Sequence, residues 1–417
     1  MKENLKRQPV HVVYGGAQLF RSGTFRKIGE LALLSFNSYA DDIHEFATAF
    51  GMKKDETCIR VYERVRSKLE SEAVEDYRID FEDGFGYRTD EEEDEAAVQC
   101  ARETAGAMKD NLLSHYFGIR PKPYSGELRS RCLRTIELYL RQLLESSSGK
   151  LPDNFLITLP KVESAMQVSE FVSALEKTEK LLNIKNGSLR IEVMVETAAS
   201  LIGGDGTLSL PLIAEAGEGR IESAHLGAFD YTAELGIIAK YQTLRHQACD
   251  FARNMMKASL EGSGIRLSDG ATNIMPIAPH KGESLTEQQK ANNRNVVHSA
   301  WKLHFDNIAH SLENGFYQGW DLHPAQLIPR YSATYNFFAE NLADSSSRLR
   351  NFLEQAARST THANVFDDAA SGQGLLNFFI RGYNCGAITE DEIRNAGLTV
   401  EELGMRSFSK IISSRSQ

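Results

Sequence analysis

Five short apolar runs in this chain end in charged residues. YRIDFED ends at Asp80, Glu82 and Asp83, HYFGIR at Arg120, and FLITLPKVE at Lys161 and Glu163. RIEVMVET carries Glu196 at its end, and ESAHLGAFD ends at Asp230. Each run is short, rich in Val, Ile, Leu and Phe, and followed by a helical pattern, so each reads as a buried strand. VHVVYGG, closing on Gly15 and Gly16, supplies a first strand, TNIMPIA a seventh and GFYQGWDL an eighth. Strand and helix alternate along this stretch, which predicts a parallel sheet or a closed (β/α)8 TIM barrel.

The helical stretches between these strands run over about 22–50, from Thr89, along LRSRCLRTIELYLRQLLE, through Val168–Leu175, over 241–260 and over 285–313. Thr89 followed by Glu92 is a capping-box signature, and the acidic run Asp90–Glu95 reads as a solvated helix start favoured by the helix dipole. After Asn341 the pattern changes. LADSSSRLR is polar, a helix is expected near 349–358, DDAASGQGL reads as a loop, and TEDEI and TVEEL read as two short capped helices. The expected organisation is a barrel domain over 1–341 and a helical C-terminal extension over 342–417, acting as a cap or an oligomer contact.

Burying a charge at a strand end is costly unless the charge is paired or binds a metal. Several such charges at the same end of successive strands predict one convergent site, and in a TIM barrel that end carries the chemistry. Glu196 and Asp230 are expected on neighbouring strands. Two carboxylates with waters and substrate oxygens suit Mg²⁺, with Mn²⁺ able to replace it. The bland alternative is that each caps a helix or pairs with a nearby Arg. Arg120 is suited to bidentate binding of a carboxylate or enolate oxygen; a structural pair with Asp80, Glu82 or Asp83 is the competing reading, and both can hold together. Strand alternation puts Asp80 and Glu82 on one face and Phe81 and Asp83 on the other, so not all three carboxylates are expected to point inward. Glu82 and Asp83 are expected to hold metal waters or Arg120.

Lys161 is either a Schiff-base lysine or, by preference, a salt-bridge partner of a neighbouring carboxylate. His323, in WDLHPAQ, either touches the pocket or makes a structural hydrogen bond, with Pro324 suited to a first helical turn. His298, His304 and His310 are spaced by six and do not share one helix face. Gly203, Gly204 and Gly206 match neither a P-loop nor a dinucleotide fingerprint.

Bulk properties narrow the field. The 417 residues hold a barrel of typical size and roughly 100 more. A net charge of −10 with no basic stripe argues against nucleic-acid binding. Five widely spaced cysteines without a CxxC suit a reduced, cytoplasmic setting. The N-terminus has no signal-like apolar region, and no run approaches the ~20 apolar residues of a membrane helix.

The pieces IDFEDGFG, GIRPK, LPKVESA, VMVETAASL, HLGAFDYTAELG and GWDLHPAQL occur in that order between about 77 and 335. In them the chain resembles the citrate lyase β-subunit / malyl-CoA lyase / HpcH–HpaI aldolase superfamily, most closely a long aldolase/citrate lyase-like branch. The resemblance implies the phosphoenolpyruvate/pyruvate type of barrel, Mg²⁺ on Glu196 and Asp230, and substrate carbonyl or carboxylate on Arg120. It implies a lyase that makes or breaks a carbon–carbon bond through an enolate, acting on a small 2-oxo acid or CoA thioester, and a homo-oligomer. The Glu196–Asp230 spacing is longer than that family's pattern, and the segment 241–315 and the tail differ from its short members, so specificity does not carry over. A CoA thioester needs cations for its phosphates, and Lys122, Arg129 and Arg134 are candidates. The general base is open among Glu82, Asp83, His323, a metal-bound water and a residue of another subunit. Two alternatives stand beside the lyase: a metal-free Schiff-base aldolase using Lys161, and a non-catalytic metabolite-binding barrel.

Overall fold

The computed structural model describes residues 7–282, 284–358 and 366–415. Eight parallel strands close into a barrel in sequence order. They are β1 (His11–Gly16), β2 (Asp76–Asp80), β3 (Tyr116–Arg120), β4 (Phe155–Leu159), β5 (Arg190–Val195), β6 (Ile221–Leu226), β7 (Arg266–Ala271) and β8 (Gln318–Asp321). The middle strands coincide with the apolar runs of the sequence. Buried on both faces, they read as near-continuous hydrophobic stretches, as parallel strands do.

β7 is a correction. The expected strand TNIMPIA begins where β7 has already ended, and the strand is the polar RLSDGA. Its buried charge, Asp269, is accommodated because it has a partner. Asp269 faces outward and accepts two hydrogen bonds from Arg253 Nη1, both at 3.0 Å, on the helix Gln247–Leu260. An apolar pattern cannot reveal a strand whose outward face is an ion pair.

The helical stretch expected over 22–50 is two helices, Thr24–Tyr39 and Ile43–Phe50. Asp42 caps the second by accepting a hydrogen bond from the Glu45 amide. A further helix, Glu56–Ser71, precedes β2. The capping box at Thr89 and Glu92 opens the helix Asp90–Lys109. Its acidic start is not all solvated: Glu93 is buried, 2.9 Å from Lys122 Nζ and 3.4 Å from Arg131 Nε.

Position 341 falls inside one continuous helix, Leu327–Arg358, which includes the polar LADSSSRLR. DDAASGQGL, expected as a loop, lies within the helix Phe366–Asn384. TEDEI and TVEEL form two short helices, Glu390–Asn395 and Val400–Gly404, each with a complete capping box. Among the described residues no helix is long and apolar enough to cross a membrane.

Alternation fixes what lies inside the barrel. Arg78 on β2, Thr158 on β4, Glu192 on β5 and Ser223 on β6 meet in its middle layer. Glu192 accepts hydrogen bonds from Tyr14 Oη (2.9 Å), Thr158 Oγ1 (2.8 Å), Ser223 Oγ (2.6 Å) and Arg78 Nη2 (3.2 Å). Arg78 also pairs with Asp76 on its own strand. This fully buried ionic plug is the floor on which the strand ends rest.

Candidate functional site

The register between strands brings the charged ends level. Gly16 lies opposite Asp80, and Asp80 opposite Arg120. Asp80 is the last residue of β2 and points inward. Its two oxygens accept from Arg120 Nε and Nη2 at 2.8 and 2.6 Å, and also from the backbone amides of Glu82 and Gly84. Two amides and a guanidinium fork thus lock one carboxylate.

β2 ends at Asp80 and the chain bends, so strand geometry no longer governs Glu82 and Asp83. All three reach Arg120: Glu82 Oε2 lies 3.0 Å from Nη1, and Asp83 Oδ2 3.7 Å from Nη2. Asp83 is 65% exposed at the rim. The guanidinium of Arg120, only 1% exposed, lies over the rings of Tyr14 (4.9 Å) and Trp320 (5.4 Å). Arg120 is held on both its edges and its faces.

The second half of the site is built around Lys161. It follows Pro160 with φ of 51°, a left-handed conformation uncommon for a side-chain-bearing residue. That turn points its amide at Glu196 Oε1 (2.7 Å) and its ammonium at Asp230 Oδ1 (2.6 Å), with Glu196 Oε1 3.7 Å away. Lys161 is therefore a salt-bridge partner, shared by two carboxylates. Asp230 is not at the end of β6. It sits in the first turn of the helix Ala228–Glu234, and its side chain is 47% exposed. Glu196 lies just past β5 and is buried. Gly227 makes room for it, because a Cβ there would stand 2.4 Å from the Glu196 side chain.

The electrostatics are unbalanced. Among the described residues, the ion pairs of Asp80, Glu82, Asp83, Glu196 and Asp230 are with Arg120 and Lys161. Burial, with Asp83 and Glu196 nearby, pushes the Glu82 carboxyl up to about 8 despite Arg120. Arg120 lies at an angle that makes no hydrogen bond to Glu82 Oε2, leaving that oxygen buried without a donor among the described residues. Burial, with Asp230 alongside, raises Glu196 to about 7 despite Lys161. Burial works to lower the Lys161 ammonium, but Glu196 and Asp230 outweigh it and hold the charge in place.

Three further side chains line this end and have no counterpart in the sequence reading. His225 meets Tyr14 and Trp320 in T-shaped contacts, with ring centres 5.8 and 5.2 Å apart. Neither ring nitrogen of buried His225 has a hydrogen-bond partner among the described residues, and burial lowers its pKa to about 4. Tyr14 lay within reach of sequence reasoning, two positions before the strand end and therefore inward. His323 does a local job: its Nδ1 accepts from the Ala325 amide at 3.1 Å and caps the turn at Pro324. The candidate phosphate-binding cations are already engaged. Lys122 is paired with Glu93, Arg129 with Glu170 and Arg134 with Asp94.

A family model described as "Domain of unknown function (DUF6986)" matches residues 2–411. No curated protein sequence matches the chain. Among solved structures, a citrate lyase from Burkholderia xenovorans LB400 is similar at 15% identity with a TM-score of 0.54, over 94% of this chain and 97% of that one. A malate synthase from Haloferax volcanii, solved as a pyruvate/acetyl-CoA ternary complex, is 12% identical with a TM-score of 0.48, over 98% of each chain. At these identities the first likeness bears on the fold, a closed (β/α)8 barrel, and the second adds nothing to it.

Proposed function

We propose that this chain, which belongs to the DUF6986 family, is a carbon–carbon lyase of the aldol or Claisen type that works through an enolate of a small 2-oxo acid or acyl-CoA. The observation that carries the reading is the pairing of an immobilised Arg120 with surplus carboxylates at the C-terminal mouth of the barrel. The sequence resemblance to the citrate lyase and HpcH–HpaI group points the same way.

The residues fit a divalent cation. Glu196 and Asp230 offer hard oxygen donors, and they already grip one cation, the Lys161 ammonium. Burial, with the neighbouring carboxylates adding to it, raises the pKa values of Glu82 and Glu196, and a nearby cation would offset both effects. No group of three or more His, Cys, Asp or Glu gathers into a ligand set among the described residues. Mg²⁺ does not need one, since two carboxylates with waters and substrate suffice. Mg²⁺ or Mn²⁺ on Glu196 and Asp230 supplies a Lewis acid where enolate charge develops.

This chain's own residues divide the remaining work. Arg120, fixed by Asp80 and by two rings, offers preorganised donors to a carbonyl or carboxylate oxygen of the substrate, so no reorganisation is needed as charge builds there. Glu82, with a pKa near working pH and an unengaged oxygen beside Arg120, takes or returns the proton at the substrate carbon. Asp83 at the rim holds Arg120 from outside. The CoA side of the substrate and the homo-oligomer belong to the same proposal.

The test is hydrogen–deuterium exchange of methyl protons, followed by NMR, with pyruvate or acetyl-CoA in D₂O. Exchange that needs Mg²⁺ and disappears in Glu196→Gln supports the reading. Exchange that survives both EDTA and the substitution sinks it.

The Schiff-base alternative is disfavoured by one observation. An ammonium held by two carboxylates stays charged, and a charged lysine is no nucleophile.

A further inference from the structure

The face of the barrel opposite the mouth carries a second cluster of charge. A cavity of about 130 Å³ lies between the N-terminal ends of the strands and the C-terminal helices. Gln8 and Tyr317, which precede β1 and β8, form one wall. Asn377 and Arg381 of the helix Phe366–Asn384 form another, and Arg406 stands at the edge.

Among the described residues the fully buried arginines are all paired. The buried Arg78, Arg120, Arg131, Arg220, Arg253 and Arg330 each meet a carboxylate at 3.0 Å or less. Arg381 does not. Its Nη1 donates to Gln8 Oε1 at 3.2 Å, and its guanidinium lies 4.1 Å over the Tyr317 ring. Among the described residues neither Arg381 nor Arg406 has a carboxylate within ion-pair distance. The Lys257 ammonium, donating to the Gly315 carbonyl at 3.4 Å, adds a third positive charge nearby. Glu261, exposed, is the acidic group that acts on Arg381, and it does so at a distance. Burial, with Arg406 alongside, lowers the proton affinity of Arg381 although Tyr317 and Glu261 oppose it. A half-buried guanidinium facing like charges is costly without an anion.

From this geometry we infer that the cavity is a binding site for a small oxyanion, the carboxylate or phosphate group of a metabolite, with Arg381 as its inner cation and Arg406 at its mouth. The lining is prepared for one. Gln8 is fixed by donating to the Leu267 carbonyl at 3.2 Å, so its own oxygen steadies Arg381. Asn377 accepts from Gln373 Nε2 at 3.0 Å, which leaves its amide hydrogens to donate. The Arg406 carbonyl accepts from the same Gln373 amide at 3.3 Å. The cavity has room for a phosphate or a short carboxylate. The occupant would join the barrel floor to the tail helices, far from Arg120 and Lys161.

The experiment is thermal unfolding of the full chain in inorganic phosphate and, separately, malonate, each against chloride at equal ionic strength. The wild type is expected to gain a few degrees in a saturable manner. Arg381→Gln and Arg406→Gln are each expected to raise the half-saturating concentration by about 10- to 100-fold, the usual weight of a lost charge-assisted contact. A response to phosphate alone or malonate alone identifies which oxyanion the site takes. No response in the wild type, or an equal response in both variants, overturns the inference. If Arg381→Gln does not fold, the exposed Arg406→Gln decides.

Discussion

Arg120 meets Asp80 edge to edge across neighbouring strands, Nε to Oδ1 at 2.8 Å and Nη2 to Oδ2 at 2.6 Å. The pair fixes the plane of the guanidinium, and the rings of Tyr14 and Trp320 fix its tilt. One edge, carrying Nη1, is left facing Glu82 at the mouth. A cation immobilised in this way is a preorganised donor rather than a mobile counter-charge.

Asp80→Asn tests that relationship. It leaves a buried guanidinium short of its best partner, which costs about 3 kcal/mol of stability. It also frees the plane of Arg120, and misplacement of this kind lowers turnover by about 100-fold. Denaturant unfolding reads the first effect and deuterium exchange into substrate the second. A variant that loses stability but exchanges at the wild-type rate would show that Asp80 is structural only.

Gly227→Ala probes the room beside Glu196. Gly227 has a φ of −89°, which alanine accepts, so the effect comes from the new methyl 2.4 Å from the Glu196 side chain. Overpacking of this sort costs about 1–3 kcal/mol. Displacing the carboxylate is expected to weaken divalent-cation binding, read by titration calorimetry with Mn²⁺, by about 10-fold or more. Unchanged Mn²⁺ binding would separate Glu196 from the cation.

Lys161 should resist trapping. With pyruvate and borohydride in EDTA, mass spectrometry is expected to find no adduct on Lys161, because Glu196 and Asp230 keep the amine protonated. A stoichiometric adduct would transfer the chemistry to a Schiff base.

Acid should strip stability through Glu192. Burial raises its pKa, but Arg78, His225 and the hydroxyls of Ser223 and Thr158 outweigh burial and lower it from 4.5 to about 2. A carboxylate depressed in the folded state contributes stability that is complete above the unfolded value, near 4.5, and is lost as pH falls through about 2. Between pH 7 and pH 3 this single group is expected to cost the wild type about 2 kcal/mol. Glu192→Gln, less stable at pH 7, lacks that share of the decline. Urea unfolding of both proteins at the two pH values measures the difference, and parallel declines would rule the assignment out.

The sequence determined what depends on near neighbours and on alternation. The strands β2 to β6 followed from apolar runs of strand length, and the capping boxes at Thr89, Thr389 and Thr399 from residues three apart. That Arg120, Lys161, Glu196 and Asp230 share one end followed too, because parallel strands joined by helices all finish on the same side. Tertiary structure decided which charge meets which. Arg78 finds Glu192 114 positions away, and Asp269, in the strand that pattern alone misplaced, finds Arg253 on a neighbouring helix. Glu93 looked solvated because its partners Lys122 and Arg131 lie on later segments. Asp83 reaches Arg120 because the chain bends after Asp80, where strand alternation ends. A residue's period along the chain reports which way it points. The energy of burying its charge depends on partners that only closure of the barrel brings within 3–4 Å.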